Sequence, residues 1–147
     1  MRYKEEYRDL FTVGEEYRLA HCVSADFVMG AGIAVQFNRH FDMKNRLRSK
    51  YPRFIDTWDA LAKKGTCVAE GRVYNLVTKR VVRDKPTYDS LRNALICMRD
   101  AAVAEGVRHI AMPRIGCGID GLQWDEVSAI IYDVFANTDI DILVCIR

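Results

Sequence analysis

The sequence predicts an α/β fold in which helices cover both faces of a central sheet. Short apolar runs typical of strands alternate with stretches whose apolar residues recur every three or four positions, as in helices. Glycine-rich stretches follow the predicted ends of some strands. In folds of this kind ligands bind in loops at strand ends. We therefore expect the functional residues in the loops after Cys22, Val77 and Met112.

The first half of the chain is predicted to contain four strands and two helices. The strands are residues 3–11, 17–22, 66–70 and 72–78, of which the last two pair through a tight turn near Gly71. Each helix carries one apolar side, formed by Ile33, Phe37 and Phe41 in the first and by Phe54, Trp58 and Leu61 in the second. The second helix follows Pro52 and is interrupted by Gly65.

The second half of the chain is predicted to alternate between helix and strand. The first helix ends near Gly106, and its apolar face consists of Leu91, Leu95, Met98 and Ala102. Residues 109–112 form a short buried strand, and the glycine-rich loop 113–121 follows it. A helix over residues 124–135, with Val127, Ile130, Ile131 and Val134 on its apolar face, precedes a closing strand over residues 140–146.

The composition fits one domain that binds a small ligand. Half of the 147 residues are apolar, which suffices for one continuous core, and we expect a single domain over residues 1–147. A net charge of +2 provides no broad basic surface for nucleic acid. No stretch is long and apolar enough to span a membrane, and the N-terminus lacks the apolar region of a signal peptide. We expect a soluble, cytoplasmic monomer that contacts no membrane.

The cysteines and histidines predict neither a disulfide framework nor a metal site. The five cysteines are odd in number and scattered, and they include no C-x-x-C pair, which favours reduced thiols in a cytosol. The three histidines are equally dispersed, without the spacing of zinc ligands. We predict no metal and no cofactor.

Two small-residue loops are candidates for binding an anion. In the loop 113–121, Gly116, Gly118 and Gly121 can take positive φ, so that consecutive backbone N–H groups converge on a diphosphate. The loop matches neither a P-loop nor a dinucleotide fingerprint, which argues against ATP and NAD. Residues 29–34 begin a predicted helix and favour an anion or a sugar. The alternatives are a strand-to-helix turn for the first loop and tight helix-on-sheet packing for the second.

Lys79 and Asp120 are the candidates for chemistry. Lys79 ends an apolar strand, where partial desolvation would disfavour its ammonium form and make the amine a nucleophile. Asp120 ends the glycine-rich loop and could act as a general base or orient the amine. The alternative is a solvated strand end at Lys79 and Arg80, because 29% of the residues are charged.

Six ordered sequence blocks, spread over nearly the whole chain, point to a known family. They are HCVS at 21–24, MGAGIA at 29–34, LVTK at 76–79, KPTY at 85–88, MPRIGCGID at 112–120 and LQW at 122–124. These blocks resemble the macrodomain family, and within it the branch of the terminal ADP-ribose protein glycohydrolase. The resemblance implies a three-layer α/β/α fold with a central mixed sheet.

The resemblance also implies an ADP-ribose site. Asp9 and Leu10 would lie by the adenine, Ser24 would line the cleft, and the C-terminal Arg147 would approach the nucleotide. The other implied contacts come from the two small-residue loops and are Gly30, Ala31, Gly32, Arg114, Ile115, Gly116, Cys117, Gly118 and Ile119. No base accompanies the Cys117 thiol in the sequence, so we interpret it as a small filler.

The reaction implied by the resemblance removes mono-ADP-ribose from modified acidic residues, so ADP-ribose and an ADP-ribosylated protein are the expected partners. The Lys79 amine would attack the anomeric carbon of the distal ribose and displace the carboxylate. Asp120 would then help to resolve the lysyl-ADP-ribose intermediate.

Several other activities would suit the same cleft. A macrodomain can act as a phosphatase on ADP-ribose 1″-phosphate, as a deacylase on O-acyl-ADP-ribose, as a hydrolase of DNA-linked ADP-ribose, or as a reader without turnover. A basic run favours nucleic acid, but such runs are usually solvated helix faces; it comprises Lys44, Arg46, Arg48, Lys50 and Arg53. Arg8, where the family usually has glycine, and the long segment 41–65 bear on substrate choice more than on chemistry. A reader would not need both Lys79 and Asp120.

Overall fold

One mixed sheet of six strands organises the chain. The computed structural model describes residues 1–61 and 64–147. The strands are β1 Tyr3–Tyr7, β2 Arg18–Ser24, β3 Thr66–Glu70, β4 Val73–Lys79, β5 His109–Met112 and β6 Asp141–Ile146. The described residues also form five α-helices, α1 Ile33–Phe41, α2 Met43–Lys50, α3 Phe54–Ala60, α4 Tyr88–Glu105 and α5 Trp124–Phe135. None of these helices is long and apolar enough to cross a membrane.

The sheet order is β1-β6-β5-β2-β4-β3. All neighbouring strands are parallel except β3, which is antiparallel to β4. Because β5, β2 and β4 are parallel neighbours, their carboxyl ends meet at one edge of the sheet. The three loops in which the sequence predicts function leave from this edge.

Helices cover both faces of the sheet, which confirms the predicted three layers. On one face, α4 and α5 pack on the sheet through residues that include Leu95, Met98, Val127 and Ile131. On the other, α1, α2 and α3 pack on it through residues that include Phe37, Leu47 and Trp58. Successive strand residues such as Leu19 and Ala20 pack on opposite faces of the sheet. Full burial of a large apolar side chain such as that of Leu19 contributes about 1.5–3 kcal/mol to the free energy of unfolding.

The first predicted strand is too long. It ends at Tyr7, and residues Leu10–Thr12 form a 3-10 turn instead. The Asp9 carboxylate accepts a hydrogen bond from the Phe11 backbone N–H at 3.0 Å, which caps this turn and ends the extended conformation. The capped turn places Asp9 and Leu10 at the edge of the sheet rather than within a strand.

The segment between α1 and β3 also differs from the prediction. The structure adds α2, which the apolar pattern does not reveal because only Met43 and Leu47 of its eight residues are buried. In α3, Phe54 and Trp58 are buried as expected. Leu61 lies beyond the end of this helix and is exposed. The prediction for β5 and α5 is confirmed to the residue.

A fully buried polar pair links β2 and β4 beneath α1. His21 Nε2 lies 2.6 Å from Asn75 Oδ1, and Asn75 donates in turn to the Val68 carbonyl at 3.1 Å. The imidazole ring stacks on Phe37 with centroids 3.8 Å apart. Burial lowers the pKa of His21 to about 4, so the ring is neutral and donates from Nε2.

We expect this histidine to make the fold sensitive to acid. The unfolded ring takes up a proton near pH 6.5, whereas the folded ring resists protonation down to about pH 4. The free energy of unfolding is therefore highest above pH 6.5 and falls by about 3 kcal/mol as the pH drops toward 4. Urea unfolding across this range should show a steeper loss for the wild type than for His21→Gln. The exposed His40 provides a control, and the proposed cause is wrong if His40→Gln flattens the profile equally.

Candidate active site

Two adjoining cavities lie at the edge of the sheet where β2, β4 and β5 end. The inner cavity, of about 300 Å³, is bounded by the start of α1, the end of β4 and the glycine-rich loop. The outer cavity, of about 760 Å³, extends between the turn after β1 and the end of β6. The two linings share Ile33, Pro113, Arg114 and Gly118. An elongated ligand can therefore occupy both.

Lys79 and Asp120 form an ion pair in the lining of the inner cavity. The Lys79 ammonium donates to Asp120 Oδ1 at 2.7 Å. The two side chains are only 9% and 15% exposed. Lys79 is the last residue of β4, and Asp120 comes from the loop between β5 and α5. Fold topology thus joins the two candidates across 41 residues of chain, at a distance suited to direct proton transfer.

Ser24 lies beside this pair because of an irregularity in the sheet. The pairing of β2 with β4 shifts after Val23, which sets Ser24 opposite Lys79. The Ser24 hydroxyl donates to the Asp26 carboxylate. Asp26 also accepts from the backbone N–H groups of Val28 and Val82, both at 3.2 Å. This carboxylate therefore holds the loop after β2 against the loop after β4.

The glycine-rich loop adopts positive φ at two of the three glycines where the sequence permits it. Gly116 and Gly121 have φ of +74° and +77°, as predicted, but Gly118 does not adopt positive φ. The Leu122 N–H donates to the Gly116 carbonyl at 2.8 Å and closes the loop. Within the described part of the chain, the backbone N–H groups of Gly118, Ile119 and Asp120 donate to no acceptor. They remain available to an anion.

The start of α1 forms the opposite wall of the inner cavity. Ala31, Gly32 and Ile33 line it, and Gly32 caps the helix with φ of +61°. The positive end of the helix dipole therefore points to the cavity. Gly30 is the predicted site residue that lines neither cavity. It is exposed, and a Cβ added there would meet no atom within 4 Å.

The outer cavity contains the remaining predicted residues, Asp9, Leu10, Cys117 and Arg147. Arg147 Nη1 lies 2.7 Å from Asp9 Oδ2. The Phe11 N–H, together with the Arg147 guanidinium, holds the pKa of Asp9 below its usual range. The carboxylate is thus ionised and ready to accept further hydrogen bonds.

Arg114 contributes to both cavities. Its guanidinium lies 5.7 Å from the centre of the Trp124 ring and 3.4 Å from Glu5 Oε1. The Trp124 indole N–H donates to the other Glu5 oxygen at 3.2 Å. Glu5 and Trp124 together fix the direction of the arginine.

Comparison with known proteins identifies the family. The family model described as Macro domain matches residues 20–131, which is most of the chain. The chain belongs to the macrodomain family.

Two curated relatives match most of this macrodomain in sequence. The ADP-ribose glycohydrolase OARD1 of Bos taurus is 43% identical over 137 residues, which cover 92% of this chain and 86% of that protein. The protein of the same name from Homo sapiens is 42% identical over 137 residues, which again cover 92% of this chain and 86% of that protein.

Solved macrodomains share the fold at lower identity. The macrodomain of Mycobacterium tuberculosis DarG superposes with a TM-score of 0.76 at 22% identity, with 97% of this chain and 96% of that chain covered. The macrodomain of Thermus aquaticus DarG gives a TM-score of 0.72 at 22% identity, with 97% of each chain covered. At this level of identity the likeness concerns the fold alone.

Three thiols line the two cavities, those of Cys22, Cys117 and Cys145, and burial raises the pKa of each. Cys22 lies in the inner cavity lining, where burial, reinforced by the Asp120 carboxylate, raises the pKa of its thiol. Burial also raises the pKa of Cys117. Since the thiolate is the reactive form, none of these thiols is suited to nucleophilic attack.

Sequence reasoning missed several residues of the macrodomain cleft. Asp26 carries one local signal, because an aspartate side chain often accepts a hydrogen bond from the backbone N–H two residues on, here that of Val28. Val82 in the lining, and Glu5 beside Arg114, carry no sequence signal. They reach the site through contacts between distant segments.

Proposed function

We propose that this macrodomain binds ADP-ribose across its two cavities and hydrolyses it from modified acidic side chains. The observation that carries the proposal is the Lys79–Asp120 pair, 2.7 Å apart beside a loop with free backbone N–H groups. The relatives that cover most of the chain are named ADP-ribose glycohydrolases, which supports the same activity here.

The shape and charge of the cavities fit the parts of ADP-ribose. The outer cavity would take the adenosine, with Asp9 accepting from the adenine amino group and Leu10 against the base. The diphosphate would lie over the free N–H groups of residues 118–120, near the start of α1. The distal ribose would then lie in the inner cavity beside Lys79.

The Lys79–Asp120 geometry accounts for a two-step reaction. The Lys79 ammonium first gives a proton to Asp120, and the neutral amine attacks the anomeric carbon of the distal ribose. The carbon–oxygen bond to the modified side chain breaks, and its electron pair leaves with the carboxylate. Asp120 passes its proton to the departing carboxylate and is ionised again. Water then attacks the same carbon, the carbon–nitrogen bond breaks with its electron pair going to the lysine nitrogen, and the Asp120 carboxylate accepts the proton of the water. Transfer of that proton from Asp120 to the Lys79 amine restores the ion pair.

The setting of the pair suits this role. The cavity excludes most solvent from Lys79 and Asp120, which strengthens their interaction with developing charge on the sugar. Every residue of the two linings comes from one chain, so we propose that a monomer is sufficient. All five cysteines are free, which favours a reducing compartment such as the cytoplasm.

An activity assay of the purified protein with several ADP-ribose compounds tests the proposed function. We expect release of ADP-ribose from a glutamate-linked mono-ADP-ribosylated protein, with slower reaction on ADP-ribose 1″-phosphate and O-acyl-ADP-ribose. Faster reaction on the phosphate would make the protein a phosphatase instead. Binding of ADP-ribose without release from any of the three would make it a reader.

A glycine substitution tests the anion loop separately from catalysis. A Cβ added at Gly116 would meet Leu122 Cδ1 at 3.0 Å, and its φ of +74° is unfavourable for other residues. We expect Gly116→Ala to reshape the loop, to destabilise the fold by about 1 kcal/mol, and to weaken ADP-ribose binding about tenfold. Thermal unfolding and titration calorimetry measure the two effects.

Gly106 provides the matched control. Its φ is +72°, but it follows α4 and has open space around an added Cβ. Gly106→Ala should therefore cost similar stability and leave ADP-ribose affinity unchanged. Equal loss of affinity in both variants would assign the effect to general destabilisation.

A further inference from the structure

The mouth of the inner cavity has an apolar lip on two sides. Val82, from the loop after β4, and Ile119, from the glycine-rich loop, both line this cavity. They are nevertheless 43% and 62% exposed, among the most exposed large apolar side chains of the described residues. Ile119 also lies 3.6 Å from the position that a Cβ would take at Gly32. These side chains offer a surface to whatever emerges from the cavity.

Three cations near this lip have no carboxylate partner among residues 1–61 and 64–147. Arg48 donates to the backbone carbonyl of Asp26 at 3.1 Å. Lys85 donates to the backbone carbonyl of Ile119. Arg83 is exposed next to Val82 and forms no ion pair in the described part of the chain. We call Arg48, Arg83 and Lys85, together with the lip, the rim.

Most acidic residues near the rim are engaged by other groups, and the three rim cations outnumber Asp84, the exposed carboxylate between Arg83 and Lys85. Asp26 accepts from Ser24, Val28 and Val82. Asp120 pairs with Lys79. Asp59 lies 3.0 Å from Arg80, and Asp84 and Asp56 add to the field that raises the pKa of this arginine.

The rim therefore carries positive charge on more than one side of the mouth. Asp26 holds the loop after β4 to the loop after β2. Arg48 donates to the Asp26 backbone carbonyl in the loop after β2. Lys85 holds the loop after β4 to the glycine-rich loop. Arg48 and Lys85 thus contact loops on two sides of the end of the cavity at which Lys79 would release the carrier.

We infer that the carrier of the ADP-ribosyl group is an acidic polypeptide segment, bound along this rim. The inference rests on the proposed function, since it describes the polypeptide from which the proposed reaction releases ADP-ribose. Acidic side chains two or three residues from the modified one would lie about 7–10 Å away in an extended chain, within reach of cations on either side. The peptide backbone and aliphatic parts would pack on Val82 and Ile119.

The rim chemistry favours a polypeptide over nucleic acid. Single-stranded nucleic acids bind aromatic side chains on which bases stack, whereas the lip of this cavity is aliphatic. The basic run of α2 also contributes little to a phosphate-binding surface, because Arg46 and Lys50 are both committed to Glu70.

Two matched peptides test the inference. Each carries one glutamate-linked ADP-ribose; the first has aspartate and glutamate on both sides, and the second has asparagine and glutamine at those positions. We expect the wild type to show a kcat/KM about tenfold higher for the acidic peptide at low ionic strength, with the difference reduced at high salt.

Charge-removing variants locate the effect. Arg48→Gln and Arg83→Gln should each lower kcat/KM for the acidic peptide about threefold. They should leave the neutral peptide and the affinity for free ADP-ribose unchanged. Arg108→Gln is the control, since Arg108 is exposed just before β5, at the opposite edge of the sheet.

The outcomes distinguish this inference from the proposed function. Equal rates on the two peptides, or equal losses in Arg83→Gln and Arg108→Gln, would overturn the inference and leave the hydrolase intact. Faster release from an ADP-ribosylated oligonucleotide than from the acidic peptide would make nucleic acid the carrier. No release from either peptide, with ADP-ribose still bound, would overturn the proposed function and the inference together.

Discussion

Lys79→Ala is expected to reduce ADP-ribose release about a thousandfold or more while ADP-ribose affinity stays within about threefold of the wild type. The substitution removes the nucleophile at the end of β4 and leaves the outer cavity and the free N–H groups of the loop in place. Most contacts proposed for the nucleotide lie there. Release assays under single-turnover conditions and titration calorimetry measure the two quantities.

Arg80→Ala is the control for the loss of a neighbouring cation. Arg80 follows Lys79 in the chain but is exposed and pairs with Asp59 outside the cavities. We expect this variant to turn over at nearly the wild-type rate. If Lys79→Ala abolishes ADP-ribose binding as well, Lys79 is a binding residue and the nucleophile must be sought elsewhere.

Asp120→Ala is expected to slow turnover by about a hundredfold to ten-thousandfold and to accumulate a covalent lysyl-ADP-ribose. The first step is slowed because Asp120 no longer accepts the proton of the Lys79 ammonium, but the lysine and the carboxylate leaving group remain and solvent can accept that proton. The second step needs a base for the attacking water, and Asp120 is the carboxylate at 2.7 Å from Lys79. Intact-mass measurement during slow turnover should therefore show a population heavier by one ADP-ribose.

The double variant Lys79→Ala with Asp120→Ala separates this adduct from chance modification. It should show no mass increase under the same conditions. Turnover by Asp120→Ala without any heavier species would indicate direct attack by water, with Lys79 acting only through its charge.

Local patterns predict the order of the strands and helices, and also the end of the sheet at which the functional loops lie. β5 and α5 match the prediction because each is an uninterrupted apolar pattern ended by proline, glycine or polar residues. Parallel strands place their carboxyl ends together, so the functional loops were also predictable. The exceptions have local causes that the apolar pattern does not record. Asp9 turns the chain early, and α2 buries too few residues to be recognised.

The site residues themselves were found largely through motif resemblance, and the structure sorts them. Most line one of the two cavities, but Gly30 lies outside both. The φ of Gly118 could not be read from its identity, because glycine permits positive φ without requiring it. Asp26 fixes two loops through hydrogen bonds to Val28 and Val82, and nothing in the sequence links it to a residue 56 positions away.

Local patterns thus specify the fold class, most strands and helices, and the loops that carry function, because these depend on the spacing of apolar residues and on turn chemistry. The tertiary structure alone decides that Lys79 meets Asp120, that a register shift sets Ser24 beside them, and that Arg48 and Lys85 contact the backbone carbonyls of Asp26 and Ile119. Each of these depends on how β2, β4 and β5 lie side by side. Such contacts join segments far apart in the chain, and spacing along the sequence does not encode their distances.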